Sequence, residues 1–244
     1  MANGMKIIAL ILAGGRGSRM MSCKVPKQFV EIGGKPVVVH TLEVFDRVPR
    51  VDAMIVACLD GWQPFLKEQL ARYHINKVAQ IVTGGATGQD SIYRALRAAQ
   101  DYADGEEALV MVHDAVRPFV SAHSIDANID TALRCGCCIN CVQAVETPLL
   151  IREDGTVSLP DRSHAAVARA PQTFGLGDLL CAHERARADG RHDFTDSCSL
   201  MAHYGYAMTT LTDDGEENMK ITTDYDLLLA EAMMGIRKER GKAK

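Results

Sequence analysis

An apolar run, Ile7–Leu12, leads directly into Ala13-Gly14-Gly15-Arg16-Gly17-Ser18-Arg19. Glycines there let the backbone turn sharply and bring its N–H groups close to an anion, and open parallel sheets bind ligands beyond the carboxyl ends of their strands. The loop is not a Walker A motif, which needs Gly-Lys followed by Ser or Thr, and a dinucleotide fingerprint would need glycine where Met20 stands. Between Gly14 and Lys35 five basic residues, Arg16, Arg19, Lys24, Lys27 and Lys35, accompany a single acid, Glu31. Such charge suits a polyphosphate that must be held while its charge grows during reaction. A dinucleotide pyrophosphate, held mainly by a helix N-terminus, does not require it. Three alternatives stay open: a glycine-rich surface turn with no ligand, a Rossmann unit binding NAD(P) for hydride transfer, and a non-catalytic module that binds a phosphorylated ligand.

A second candidate lies at the end of another apolar run, where Ala108–Val112 passes into His113-Asp114-Ala115-Val116-Arg117-Pro118. Asp114 at a sheet's carboxyl edge could hold Mg²⁺, which takes one or two carboxylates together with substrate phosphate oxygens; the alternative is an ion pair with Arg117. His113 reads as structural. A third segment, Gly84-Gly85-Ala86-Thr87-Gly88-Gln89-Asp90-Ser91, precedes a helical pattern and can present its backbone to a base or ribose. The four thiols in Cys135-Gly136-Cys137-Cys138-Ile139-Asn140-Cys141 suggest zinc, yet closed zinc sites come as two separated ligand pairs and no second pair follows. Gly136 reads as a helix C-cap, and Cys137, Ile139 and Cys141 then share one strand face as core.

These residues need a scaffold, and the pattern of the chain supplies one. Apolar runs alternate with segments of helical period, which reads as βαβ units around a mostly parallel sheet. Strands are expected at Ile7–Leu12, Ala53–Cys58, Ala79–Val82, Ala108–Val112, Cys138–Val145 and Ala207–Leu211. Helices are expected at Val38–Asp46, Trp62–His74, Asp90–Ala103, Ser124–Arg134, Gly177–Ala188, Thr195–Tyr204 and Asp224–Gly235. From Thr147 to Phe174 the alternation lapses, which reads as a β excursion away from the sheet, and Arg237–Lys244 reads as a fraying tail. Residues 1–244 carry no linker or repeat and read as one α/β, Rossmann-like domain.

With 244 residues, 47% hydrophobic and 24% charged, the composition is that of a globular protein. Its net charge of −4 argues against coating duplex nucleic acid. The Gly14–Lys35 segment nonetheless carries +4, so the acidity lies elsewhere. The apolar run Met5–Ala13 is too short to span a bilayer and lacks a signal-cleavage pattern, so a soluble, cytoplasmic protein without membrane partners is expected. Eight cysteines in such a compartment do not imply disulfides.

Leu12-Ala13-Gly14-Gly15-Arg16-Gly17-Ser18-Arg19-Met20, followed by Pro26-Lys27-Gln28-Phe29, resembles the signature of nucleotidyltransferases of the nucleotide-sugar pyrophosphorylase type. More closely, it resembles the cytidylyltransferases that make CDP-methylerythritol and CDP-ribitol. His113–Pro118, Pro160–His164, Ala170–Phe174 and Glu217-Asn218-Met219-Lys220-Ile221-Thr222 resemble further segments of that family, in the family's order. The resemblance implies transfer of CMP from CTP to a small polyol phosphate with Mg²⁺ on Asp114. Leu12, Ala13, Gly14, Gly15, Gly17, Gly85 and Ser91 would hold CTP, with Arg19 and Lys27 on its phosphates. Arg162 and Lys220, with Arg117 and Thr147, would orient the acceptor. It also implies a homodimer in which the 147–174 arm reaches over its mate. The chain departs from the family where Ala86-Thr87-Gly88 replaces the usual Asp-Arg portion of the cytosine loop, and where Ala170 replaces Thr. Ala13-Gly14-Gly15, Glu146-Thr147-Pro148-Leu149, His113–Phe119 and Pro171–Phe174 look more like the ribitol-phosphate branch than the methylerythritol-phosphate branch.

Overall fold

The structure is a computed structural model that describes residues 5–15, 25–212 and 217–242. In chain order the elements are β1 (Lys6–Ala13), β2 (Glu31–Ile32), β3 (Lys35–Pro36), α1 (Val37–Arg47), β4 (Ala53–Cys58), α2 (Gln63–Arg72), β5 (Val78–Thr83), α3 (Gly88–Ala103) and β6 (Ala108–Asp114). They continue as α4 (Ala122–Cys135), β7 (Cys137–Gln143), β8 (Leu150–Ile151), β9 (Val157–Ser158), β10 (Ala166–Gly175), α5 (Leu176–Ala188), α6 (Ser197–His203), β11 (Thr210–Thr212) and α7 (Asp224–Lys242). Short 3₁₀ turns lie at Lys27–Phe29 and Arg162–His164.

The main sheet has seven strands in the order β11-β7-β10-β6-β1-β4-β5, all parallel except β10, which runs antiparallel to both its neighbours. Period-two alternation in β1 explains the layers. Ile7, Ala9 and Ile11 pack with Leu42 and Phe45 of α1 and Ile129 of α4. Ile8 and Leu10 face Leu96 of α3 and Leu179 of α5. Both faces are covered, as a parallel sheet requires. The Thr87 hydroxyl caps α3 by accepting from Asp90 N–H at 3.1 Å.

Most expected elements are present within a few residues of their expected ends, including Ala53–Cys58 at the residues expected. Two expectations need correction. The Thr147–Phe174 stretch is not wholly an excursion, because β10 lies inside the sheet and Phe174 is buried. Its strand pattern is concealed by a register shift between Ala168 and Gln172 and by Pro171, which removes a ladder donor. A buried amide network fixes it there: Thr173 donates to Asn128, whose Nδ2 donates to Asn140 at 2.6 Å. The second correction is the tail, where α7 runs on past Gly235 to Lys242. Arg237 anchors it, pairing with Glu217 and lying 4.8 Å from the centre of the Phe119 ring.

The cysteine segment packs as core. Gly136 closes α4 in the left-handed conformation (φ 83°), and Cys137, Cys138 and Cys141 are buried in β7. Burial pushes the Cys138 thiol up to about 12.

Candidate active site

The chain leaves β1 toward β4 on one side and leaves β6 toward β7 on the other, so the sheet's switch point lies between β1 and β6. Leu12 and Asp114 are register partners at the carboxyl ends of those strands. That is where a parallel α/β sheet opens a crevice. A cleft of about 700 Å³ occupies the place, and Gly14, Gly15, Lys27, Gly85, Asp114 and Lys220 line it. Leu12 and Ser91 also face it.

Close backbone approach shapes two of its walls. A Cβ on Gly14 would stand 3.3 Å from Ser91 Oγ and 3.4 Å from Gly84 Cα, so the β1 and β5 loops meet here. A Cβ on Gly85 would come within 2.2 Å of Asp90 Cβ, a clash that only glycine avoids. Gly85 N–H donates to Ser91 Oγ at 2.9 Å, and Ser91 Oγ donates to the Thr87 carbonyl at 2.9 Å. The side-chain hydroxyls of this loop are thus spent on the loop itself, leaving backbone groups to meet a ligand.

Lys27 sits on the 3₁₀ turn, which is held from two sides. The Phe29 ring stacks on Trp62 at 4.7 Å and meets the edge of Phe65 at 5.4 Å. The buried Gln28 amide donates to the carbonyls of Ala13 at 2.8 Å and Gly15 at 3.0 Å.

At the other end of the cleft, Lys220 Nζ lies 2.9 Å from Asp114 Oδ1, and Arg117 Nε lies 2.8 Å from Asp114 Oδ2. Burial alone would raise the Asp114 carboxyl; Lys220 and then Arg117 outweigh it and hold the group well below the usual carboxylate range. Arg117 also donates to the Asn218 carbonyl at 2.9 Å, Asn218 Nδ2 donates to the Ala170 carbonyl at 2.8 Å, and Ile221 N–H donates to the Val116 carbonyl at 2.9 Å. These bonds dock the Asn218–Lys220 segment and carry Lys220 to the cleft. Behind Asp114, His113 is fully buried against Phe45, and burial pushes its imidazole down to about 3, which keeps it neutral.

The cleft therefore gathers Leu12, Gly14, Gly15, Lys27, Gly85, Ser91, Asp114 and Lys220 from the sequence-derived set. Ala13 ends β1 beneath it, buried. Arg117 stands behind Asp114 and pairs with it, the ion pair the sequence had left open. Arg162 and exposed Thr147 lie on the arm, where Arg162 Nη1 donates to the Val145 carbonyl at 3.2 Å, and neither lines this cleft. Arg19 and Gly17 lie outside the described residues. Sequence reasoning missed Asp60, which lines the cleft beyond β4, and gave Gln28 no role of its own. A lone Asp after a strand carries no signal, whereas Gln28, next to a proposed phosphate lysine, does.

A glycine loop, a lysine and a carboxylate–lysine pair on one parallel-sheet edge form an anion-binding, charge-stabilising arrangement. The model of the 2-C-methyl-D-erythritol 4-phosphate cytidylyltransferase (IspD) family matches residues 7–236 of the chain. The chain belongs to the IspD family. It is 39% identical over 228 residues to ribitol-5-phosphate cytidylyltransferase of Vibrio parahaemolyticus, covering 93% of this chain and 95% of the relative. It is 35% identical over 229 residues to 2-C-methyl-D-erythritol 4-phosphate cytidylyltransferase of Geobacillus kaustophilus, covering 94% of this chain and 97% of the relative. The solved 4-diphosphocytidyl-2C-methyl-D-erythritol synthase of Anaerococcus prevotii superposes with a TM-score of 0.81 at 26% identity, over 95% of this chain and 96% of that one. The chain is accordingly a cytidylyltransferase, an enzyme class that uses CTP, with the mostly parallel α/β fold of IspD structures. Among the described residues no helix is long and apolar enough to cross a membrane.

Proposed function

We propose that this IspD-family enzyme transfers CMP from CTP to D-ribitol 5-phosphate, giving CDP-ribitol and pyrophosphate, and that residues 1–244 act as one cytoplasmic domain. The observation that carries the acceptor is the 39% identity, over nearly the whole chain, to a relative named for ribitol 5-phosphate. The ribitol-like segments His113–Phe119 and Pro171–Phe174 support it, as does Leu149 where methylerythritol-phosphate enzymes usually carry a lysine.

A phosphate oxygen of the acceptor attacks the α-phosphorus of CTP in line, the bond to the β-phosphate oxygen breaks, and pyrophosphate leaves. The nucleophile is already anionic, so no base and no covalent enzyme intermediate are required. Catalysis rests on positioning and on charge stabilisation. Lys27, with Arg19, holds the transferring and leaving phosphates. Gly14, Gly15, Gly85 and Ser91 shape the nucleotide wall, and Lys220 meets the acceptor phosphate.

Asp114 fits a Mg²⁺ site: it is held ionised at the cleft, and Lys220 and Arg117 engage one bond on each of its oxygens, leaving lone pairs free. Bound there, Mg²⁺ would neutralise phosphate charge. Arg117 keeps Asp114 aimed at the cleft. Thr147 and Arg162, carried on an arm rich in exposed apolar side chains, serve the acceptor site of a partner subunit in a homodimer.

The test is pyrophosphate release from CTP and Mg²⁺ with either ribitol 5-phosphate or 2-C-methyl-D-erythritol 4-phosphate. Turnover at least tenfold more efficient with ribitol 5-phosphate is expected. Preference for the other acceptor would reassign the substrate, and release with neither would sink the acceptor class.

A further inference from the structure

We infer that Gln28 is a positioning residue for the transfer, setting the peptide planes of the Gly14–Gly15 loop so that the loop offers donors rather than acceptors to the triphosphate. The inference rests on the reading that this loop holds the phosphates of CTP.

A loop that binds polyphosphate must turn N–H groups inward and carbonyls away, since an inward carbonyl oxygen repels the anion. Glycine lacks the Cβ that would bias one orientation, so consecutive glycines flip their peptide planes at little steric cost. Something outside the loop must choose. Gln28 is 1% exposed, and its Nε2 reaches the carbonyl oxygens of Ala13 at 2.8 Å and Gly15 at 3.0 Å. Both partners are acceptors, so the amide nitrogen, not its oxygen, must face the loop. The two bonds bracket Gly14 and Gly15. Leu59 N–H also donates to the Ala13 carbonyl at 3.1 Å, whereas Gln28 is the side chain that holds both carbonyls. With the Ala13 carbonyl turned toward Gln28, the N–H of Gly14 lies on the opposite side of the same planar peptide.

The location of Gln28 adds a second constraint. It follows Lys27 directly, and Phe29 beside it is locked against Trp62 and Phe65. One short turn therefore ties the lysine and the orientation of the glycine loop together. A buried amide is also a fitting choice chemically. A lysine there would add buried charge, and a carboxylate would set acceptor against acceptor.

Gln28→Glu removes both donors while keeping the shape, and Gln28→Met removes them without adding charge. Affinities for CTP, CDP and CMP are read from the fluorescence of Trp62, the chain's one tryptophan, alongside kcat, the acceptor KM and the melting temperature. A loop-orienting role makes the loss grow with phosphate number: at least tenfold for CTP, less for CDP and under about twofold for CMP, with kcat down by about 100-fold through misplacement and acceptor KM unchanged. Equal losses for all three nucleotides in Gln28→Met would show a merely structural residue, and unchanged CTP affinity in both variants would overturn the proposal. Lys27→Ala separates the premise from the inference. If that variant also leaves the ratio of CTP to CMP affinity intact, the phosphates lie elsewhere and the reading of the cleft falls first.

Discussion

The cleft edge and the β-arm are built on opposite principles. At the cleft, contacts join segments far apart in sequence: Gln28 to Ala13, Arg117 to Asn218, Asn218 to Ala170 and Lys220 to Asp114. In the arm, side-chain bonds stay within the arm and the strand end it leaves: Thr156 with Asp154, Ser163 with Asp161, Arg162 with the Val145 carbonyl and Gln143 with the Arg162 carbonyl. The apolar side chains of the arm stand in solvent, with Ile151 70%, Leu159 67% and Leu150 59% exposed. The single chain thus preforms its cleft, whereas the arm has no core of its own to hold it. Several exposed apolar side chains on one short arm suit an interaction surface, and a second copy of the chain is the partner proposed for it.

The largest expected effect falls on the cleft. Lys27→Ala should lower kcat by roughly 10²–10³-fold, the scale of losing one preorganised charge at a transition state. The melting temperature should change little, because Phe29 and Gln28 pack the turn. Near-normal turnover would remove Lys27 from the mechanism.

The arm yields the next largest effect and a sharper form of the comparison. Arg162→Ala should raise the acceptor KM by about 10- to 100-fold, as for loss of a charge-assisted hydrogen bond, with CTP affinity unchanged. If Arg162 acts on a partner's site, mixing inactive Lys27→Ala protomers with Arg162→Ala protomers should restore activity, since one site of each mixed dimer then has an intact lysine and an intact arm. Mixtures no more active than their components would place Arg162 in its own protomer's chemistry or outside it. Ile151→Glu, which puts charge on the arm's apolar surface, should give a monomer by light scattering.

The sequence revealed these two regions unequally, for a physical reason. Local rules act where the chemistry depends on a few neighbouring residues, so the glycine loop, Lys27 and Asp114 were legible, and the parallel strands showed as apolar runs. Long-range pairing is not written locally. Strand β10 reads as an excursion in the sequence because a bulge and Pro171 break its alternation, although Thr173 and Asn128 hold it inside the sheet. Asp60 reaches the cleft only because β4 ends beside β1, and nothing in Leu59-Asp60-Gly61 announces that. The roles proposed for Arg162 and Lys220 rest on family resemblance; the fold brings Lys220 to Asp114 and leaves Arg162 on the arm.

The smallest effect, on stability against pH, tests whether acid weakens the sheet layers or the arm. Burial depresses His113 to about 3; burial first, and Arg187 second, lower His183 to about 4, against 6.5 for an ordinary histidine. The folded state keeps both neutral while the unfolded chain binds protons below pH 6.5, so stability is full above that value and falls as pH drops toward 4, by up to about 1.4 kcal/mol per pH unit for each histidine. Asp114, held low by Lys220 and Arg117, adds its own loss only below about pH 4, where the unfolded carboxylate protonates. The arm carboxylates Asp154 and Asp161 are lowered mainly by hydrogen bonds from Thr156 and Ser163, but both are fully exposed and contribute little to stability. Thermal melts of the wild type should be flat from pH 8 to 7 and decline from 6.5 to 4. His183→Leu, on α5 away from the cleft, should remove part of that slope and leave the share of His113 and of His40, whose imidazole burial also lowers. A variant that keeps the full slope would remove His183 from the acid sensitivity.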